Sequence, residues 1–218
     1  MRALPWLLVA TLPTTSLAAQ ATDHGVFSIR KGGREIGREE FTMRPGRGPD
    51  GKAPGSTIAT VVRYPSIAPT ITAEAVLERT PEGRFTVFQL EYRAPDTTER
   101  YLAGQDRGRI TLHRFAGESR SARELPGGAH AYVMVDGVYS LYRVLTDLAG
   151  PAEVSATVYL ARTERRVRVT VGAVQQSAGR RRVVLGGQLS ATVTLDETGR
   201  IQRIDLPHES LTVVLLED

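Results

Sequence analysis

The sequence predicts an all-β protein in which a single antiparallel meander curls into a β-barrel or half-barrel. Apolar and polar residues alternate with the two-residue period of strands that have one buried and one solvated face, as in residues 166–171 and 189–195. Short turns rich in Gly recur between such runs at hairpin spacing, for example at residues 31–34 and 105–108. About thirteen strands in one flat sheet would be unusual, so we expect the sheet to curl.

Most of the chain is therefore expected to be strand, with one helix and one irregular loop. The apolar positions of residues 138–149 follow the i, i+3, i+4, i+7 pattern of an amphipathic helix, with Asp136 as its expected N-cap and Gly150-Pro151 as its end. Residues 44–56 are rich in Gly and Pro and predict a flexible loop. The expected strands are 25–31, 34–43, 57–64, 70–79, 84–93, 98–103, 109–115, 130–135, 153–163, 166–175, 182–195, 200–206 and 210–216.

The first nineteen residues predict an export signal. Arg2 supplies a positive start, residues 4–12 are an apolar run too short for a bilayer of about 30 Å, and small residues end the segment at Ala19. Residues 20–218 then form one domain of ordinary size. With no cysteine for lipid attachment or disulfides, and no long apolar segment, we expect a periplasmic or secreted protein rather than an integral membrane protein.

The charge balance does not indicate a nucleic-acid partner. The net charge is only +4 although the isoelectric point is about 9.7, and nearly all of the 28 basic residues are arginine. The absence of asparagine accompanies this bias. GC-rich codons produce both features, so we assign them to genome composition.

No recognisable catalytic, metal or cofactor motif is present. Residues 46–51 satisfy G-x-G-x-x-G, but Pro49 lies inside them and neither the strand nor the helix of a dinucleotide site flanks them. The four histidines are too widely spaced for a local metal site, and we expect no cofactor and no enzyme. A weaker alternative is a site assembled only in three dimensions from Asp136, His130 and His113.

Glu39 and Glu40 are expected to point to opposite faces of one strand as charges at its edge. A denser group of charges is predicted near the C-terminal third, where the turn at residues 176–179 would bring two strands together. Its arginines would form a basic patch suited to phosphate or carboxylate groups, or a solvated strand face. These residues are Arg162, Arg165, Arg166, Arg168, Arg180, Arg181 and Arg182.

The interior of the curled sheet leaves two alternatives open. A sheet of this size either fills its interior with side chains or encloses a ligand cavity, with the 138–149 helix as plug or gate. In the second case branched aliphatic residues would line a dry cavity suited to acyl chains. The candidates are Val61, Val87, Leu141, Leu145, Val158, Val169, Val193, Ile204 and Val213.

Residues 25–41, with the sequence G-V-F-S-I-R-K-G-G-R-E-I-G-R-E-E-F, resemble the first hairpin of exported bacterial domains of unknown function. Those domains resemble the antiparallel half-barrels of the lipoprotein-localisation type, LolA and LolB, which hold acyl chains beneath a helical lid. The present chain differs from LolB in having no lipid-attachment cysteine. The resemblance implies a curved sheet and an apolar ligand, and assigns no functional residue.

Together these observations predict a non-enzymatic exported protein that binds a lipid or a lipoprotein acyl chain. The alternative is an envelope interaction module that binds an acidic partner through its arginines. The interior of the sheet is the feature that separates the two hypotheses.

Overall fold

The computed structural model describes residues 23–47, 54–65, 70–177 and 179–216. It contains sixteen strands, one short α-helix, α1 (Arg143–Thr146), and two 3-10 turns, Ser140–Tyr142 and Pro207–Glu209. The strands are β1 (Asp23–Lys31), β2 (Arg34–Arg47), β3 (Pro54–Tyr64), β4 (Ile71–Arg79), β5 (Phe85–Ala94), β6 (Thr97–Asp106), β7 (Arg109–Ala116), β8 (Ser119–Pro126), β9 (Ala131–Met134), β10 (Val154–Leu160), β11 (Arg165–Val171), β12 (Gln175–Ser177), β13 (Arg180–Gly187), β14 (Ala191–Leu195), β15 (Ile201–Leu206) and β16 (Leu211–Leu216).

All strands belong to one sheet, which confirms the all-β class. The order is β8-β7-β6-β5-β4-β3-β2-β1-β16-β15-β14-β13-β11-β10-β9, with β12 paired to β13 off this path. Consecutive strands pair antiparallel through most of the sheet, and β16 returns to pair with β1. The sheet curls until it is nearly closed into a barrel, as the alternation predicts.

The antiparallel meander is interrupted at one place. β9 pairs parallel to β10, with Ala131 opposite Thr157 and Met134 opposite Leu160. Parallel neighbours need a crossover connection, and the segment between these strands contains the 3-10 turn and α1. The expectation of a purely antiparallel sheet was therefore wrong for this pair.

The helical segment is shorter than the predicted 138–149. Helical geometry covers residues 140–146, and the side chain of Asp136 does not cap it. The segment from Val135 to Thr146, which follows β9, lies almost entirely buried against the inner face of the sheet, as an interior plug. We call residues 135–149 the plug.

The strand boundaries also differ from expectation. β8 was not predicted, and the expected strand 182–195 is divided into β13 and β14. The division follows Gly187, which has a φ of +81° and whose added Cβ would lie 2.5 Å from the carbonyl oxygen of Arg168. β2 and β3 extend to Arg47 and Pro54, into the flanks of the expected 44–56 loop, while residues 48–53 and the expected export signal lie outside the described residues.

Candidate functional site

The strongest candidate site is a groove on the outer face of β1–β6. It has a volume of about 650 Å³, which is within the usual range of ligand pockets. The strand register places its residues in rows that cross the sheet, because directly paired residues of neighbouring strands point to the same face. Five strand spacings of about 4.8 Å give each row a length of about 24 Å.

One row of the groove carries no carboxylate and no Lys or Arg. Neighbouring strands place these side chains opposite one another in order across the sheet. We call this row the uncharged strip, and its members are His24, Thr42, Ala59, Val76, Gln89 and Leu102. Leu102 is 43 % exposed although it is a large apolar residue, which shows that the strip is open to solvent.

One small side chain faces the groove. Ala59 lies between the larger side chains of Thr42 and Val76, its partners on β2 and β4, whereas Gly25 and Ala75 contribute only backbone because their Cβ positions face the core. A Cβ added to Gly25 would approach side-chain atoms of Leu215 and Arg200 to 2.8 Å, so this position is closely packed on its other side. The floor of the groove therefore lies directly over a closely packed core.

One border of the strip carries charges that are already paired. Arg63 binds Glu40 at 2.9 Å, and Arg93 binds Glu74 at 2.6 Å. Arg93 also contacts Glu91, which in turn binds Arg100 at 3.0 Å. With the carboxylates of this row occupied by arginines, the border is polar but carries little uncompensated charge.

The interior of the barrel is filled with side chains. Leu141, Leu145, Val158, Val193, Ile204 and Val213 have 0 % accessible surface, and Val169 has 1 %. Water therefore has essentially no access to them, either from outside or from an internal cavity. A small enclosed pocket beside the plug, lined by Tyr139 and Tyr142, holds only about 40 Å³.

The cavity candidates consequently separate into two groups. The seven residues just named form the core and line no cavity, so the alternative of a side-chain-filled interior is the one that the described residues support. Val61 lines the outer groove, and Val87 is half-buried on the same outer face. The sequence signal for this face is consecutive apolar residues, as at Val61-Val62, which break strict alternation.

A buried carboxylate fastens the plug to the sheet. Glu39 of β2 is fully buried and accepts hydrogen bonds from the backbone N–H of Tyr139 at 2.7 Å, from that of Ser140 at 2.9 Å and from the Thr60 hydroxyl at 2.8 Å. Burial raises the pKa of Glu39, an effect that these hydrogen bonds oppose. The expectation that Glu39 is an edge charge was wrong, whereas Glu40 is exposed on the opposite face.

The predicted basic patch is not one surface. Arg162 lies over the ring of Tyr92, 3.4 Å from its centroid, and is 3.6 Å from the Glu99 carboxylate. β11 and β13 pair only over residues 169–171 and 185–187, because the turn at 176–179 joins β12 to β13. Arg180–Arg182 therefore lie at the far end of β13 from Arg166 and Arg168.

Arg166 and Arg168 remain together on the outer face of β11, and Arg165 is exposed at the start of that strand. Neither Arg166 nor Arg168 forms an ion pair with a described carboxylate. Arg168 also lines a shallow pocket of about 330 Å³ with His130, Ser155 and Thr157.

The three residues proposed for a catalytic site occupy different surroundings. His113 stacks near Phe115, with ring centroids 6.4 Å apart, and His130 lines the pocket beside Arg168. Asp136 lies within the plug, two residues after the end of β9. In the four described ranges, no group of three or more His, Cys, Asp or Glu side chains is arranged to hold a metal ion.

Comparisons with known proteins give one weak structural likeness. The sequence matches no protein-family model, and no curated protein is similar to it. A solved structure of a DUF1089 family protein from Pseudomonas aeruginosa is similar over 96 % of this chain and 98 % of that chain, with 14 % sequence identity and a TM-score of 0.44. No helix within the described part of the chain is both long and apolar enough to cross a bilayer.

Proposed function

We propose that this chain is a non-enzymatic protein, exported to the periplasm or secreted, that binds the apolar chain of a lipid or lipoprotein in the groove on the outer face of β1–β6. The observation that carries the proposal is the uncharged strip, about 24 Å long by strand spacing, beside a border of paired charges. This proposal moves the ligand from the interior of the barrel, where the sequence placed it, to its surface.

The shape of the groove suits an extended flexible chain. An alkyl chain lying along the strip would cover Ala59, Val76, the aliphatic part of Gln89 and Leu102 in turn, while the charges on the border would contact a polar headgroup. Each fully buried methylene contributes about 0.8 kcal/mol, or about fourfold in affinity. Since an open groove covers a chain from one side, we expect about twofold tighter binding for each added methylene.

Displacement of a fluorescent fatty acid by saturated fatty acids of increasing length tests the proposal. Leu102→Glu and Val76→Glu place a carboxylate in the strip and should weaken binding at least about tenfold, because the charge would have to be desolvated by the ligand. Val184→Glu is the matched control, since Val184 is 41 % exposed on β13, away from the groove. Equal loss in all three variants, or no dependence on chain length, would contradict the proposal.

A second candidate function is binding of an acidic envelope partner. The observation that favours it is the pair Arg166 and Arg168, two arginines on one strand face without a carboxylate partner among the described residues. The double variant Arg166→Glu and Arg168→Glu should abolish a salt-sensitive co-purification from envelope extracts. Arg107→Glu, in an exposed turn, is the control, and unchanged co-purification in the double variant would reject this function.

A further inference from the structure

The two ends of the sheet differ in exposure. β9 is fully buried, whereas β8 is exposed at every residue except Leu125, which is half-buried. Among the described residues β8 pairs with β7 on one side only, so alternate backbone N–H and C=O groups along its other side have no strand partner there. The carbonyl of Pro126, at the end of β8, accepts a hydrogen bond from the Tyr159 hydroxyl at 2.8 Å. An exposed edge of eight residues is long enough to accept another strand.

We propose that β8 is the dimer interface of this protein and that it pairs antiparallel with β8 of a second copy about a two-fold axis at Ala122. This register places Arg120 opposite Glu124 of the partner subunit, and the symmetry repeats the pair on the other side of the axis. Oppositely charged residues directly opposite one another stabilise a strand pair. An isologous contact of this kind closes after two copies.

The charges of β8 favour this register over its neighbours. Shifting the axis to Arg123 would place that arginine opposite its own copy, and shifting it to Ser121 would place Glu118 opposite Glu124 of the partner subunit. Both alternatives put like charges opposite one another, which destabilises a strand pair. Charged residues on an edge therefore hinder other pairings while permitting this one.

The current contacts of the two charged residues leave them available. Arg120 lies 5.9 Å from the centroid of the Phe115 ring and forms no ion pair with a described carboxylate. Glu124 binds Arg109 at 2.5 Å, but both side chains are more than 60 % exposed. A second arginine can therefore approach the Glu124 carboxylate from the open side of the strand.

The same register aligns the two outer faces. Leu102 is paired with His113, and His113 is paired with Ala122. The row of the uncharged strip therefore continues across β7 to Ala122, where the dimer axis lies. Two copies would place their strips in line on one face of a continuous sheet. The dimer does not depend on the proposed ligand, because it is argued from the edge and its charges alone.

Sedimentation velocity of the ligand-free protein over a range of concentrations tests the interface. The wild type should dimerise, and Arg120→Glu and Glu124→Arg should each weaken the dimer at least about tenfold, because each places like charges opposite one another at two symmetric sites. The double variant Arg120→Glu with Glu124→Arg restores opposite charges and should restore the dimer. Arg107→Glu, 92 % exposed outside β8, should change nothing.

Ala122→Pro is a second test of the interface. Proline has no N–H to donate a backbone hydrogen bond at the axis, so this variant should not dimerise. Circular dichroism first checks that each variant is folded, and only folded variants are then compared for dimerisation. A wild type that remains monomeric to about millimolar concentration overturns the interface. Dimerisation that is unaffected by the single variants, or that the double variant fails to restore, also overturns it.

Discussion

Glu39 accepts a hydrogen bond from the backbone N–H of Tyr139, which lies 100 residues further along the chain. With the adjacent bond from Ser140, this carboxylate satisfies the amide groups at the start of the helical turn in place of a local capping residue. The contact joins β2 to the plug. It is one of several polar contacts between the plug and the sheet, with the Tyr64 hydroxyl on the carbonyl of Gly137 and the ion pair of Arg79 with Asp147.

Removing this carboxylate should destabilise the protein strongly. Glu39→Ala leaves the two buried N–H groups of Tyr139 and Ser140 without their acceptor, while the Thr60 hydroxyl keeps the Glu40 carbonyl at 3.1 Å. We expect the free energy of unfolding to fall by about 3 kcal/mol. Glu40→Ala is the matched control, because Glu40 is exposed and paired with Arg63 at the surface, and it should cost less than about 1 kcal/mol. Urea unfolding measures both, and equal effects would show that Glu39 does not hold the plug.

Glu39 should also make stability depend on pH. Because its pKa in the folded protein is raised above 4.5, its contribution is fully present below about pH 4.5 and is lost as the pH rises through the folded pKa. The wild type should therefore lose stability relative to Glu39→Gln as the pH rises above about 4.5. Urea midpoints of both proteins across this range provide the measurement, and a difference that is constant or grows with pH would mean that the pKa is not raised.

Gly187 should be intolerant of a side chain. Gly187→Ala forces a positive φ on alanine and places its Cβ against the carbonyl oxygen of Arg168, so we expect a loss of at least about 2 kcal/mol in unfolding free energy. Gly83→Ala has a similar φ of +78° but meets no atom within 4 Å, and it should lose only about 1 kcal/mol. Comparing the thermal unfolding of the two variants separates the cost of the steric clash at position 187 from the cost of the positive φ that both positions share.

Export should leave a defined N-terminus. The sequence places cleavage near Ala19, so we expect the mature protein to begin at about Gln20. Intact-mass analysis of protein recovered from the envelope or the medium of the producing cells measures this directly. Full-length protein retained in the cytoplasm would contradict the proposed location.

The sequence predicted the fold class well because most strands have one buried face. β11, for example, alternates Val167 and Val169 with Arg166 and Arg168, and both valines are buried. β8 was missed for the complementary reason. An edge strand exposed on both faces has no buried residues to alternate with solvated ones, so S-R-S-A-R-E-L-P carries no period.

The candidate site was predicted less well than the fold. The outer groove depends on which strands lie side by side, and the row from Val76 to Leu102 exists only once the register of β4, β5 and β6 is known. The role of Glu39 depends on a partner 100 residues away, which leaves no local pattern. Consecutive apolar residues, as at Ala75-Val76-Leu77, were the one signal available for a second apolar face.

Methyl NMR during titration with a long-chain fatty acid can locate the bound chain directly, because Val and Leu methyl groups occupy both the groove and the core. We predict that the methyl signals of Val61, Val76 and Leu102 shift as ligand is added, while those of Val158 and Val193 do not. Shifts confined to the core valines would place the ligand inside the barrel and contradict the outer groove. An absence of shifts at saturating fatty acid would reject binding of an acyl chain altogether.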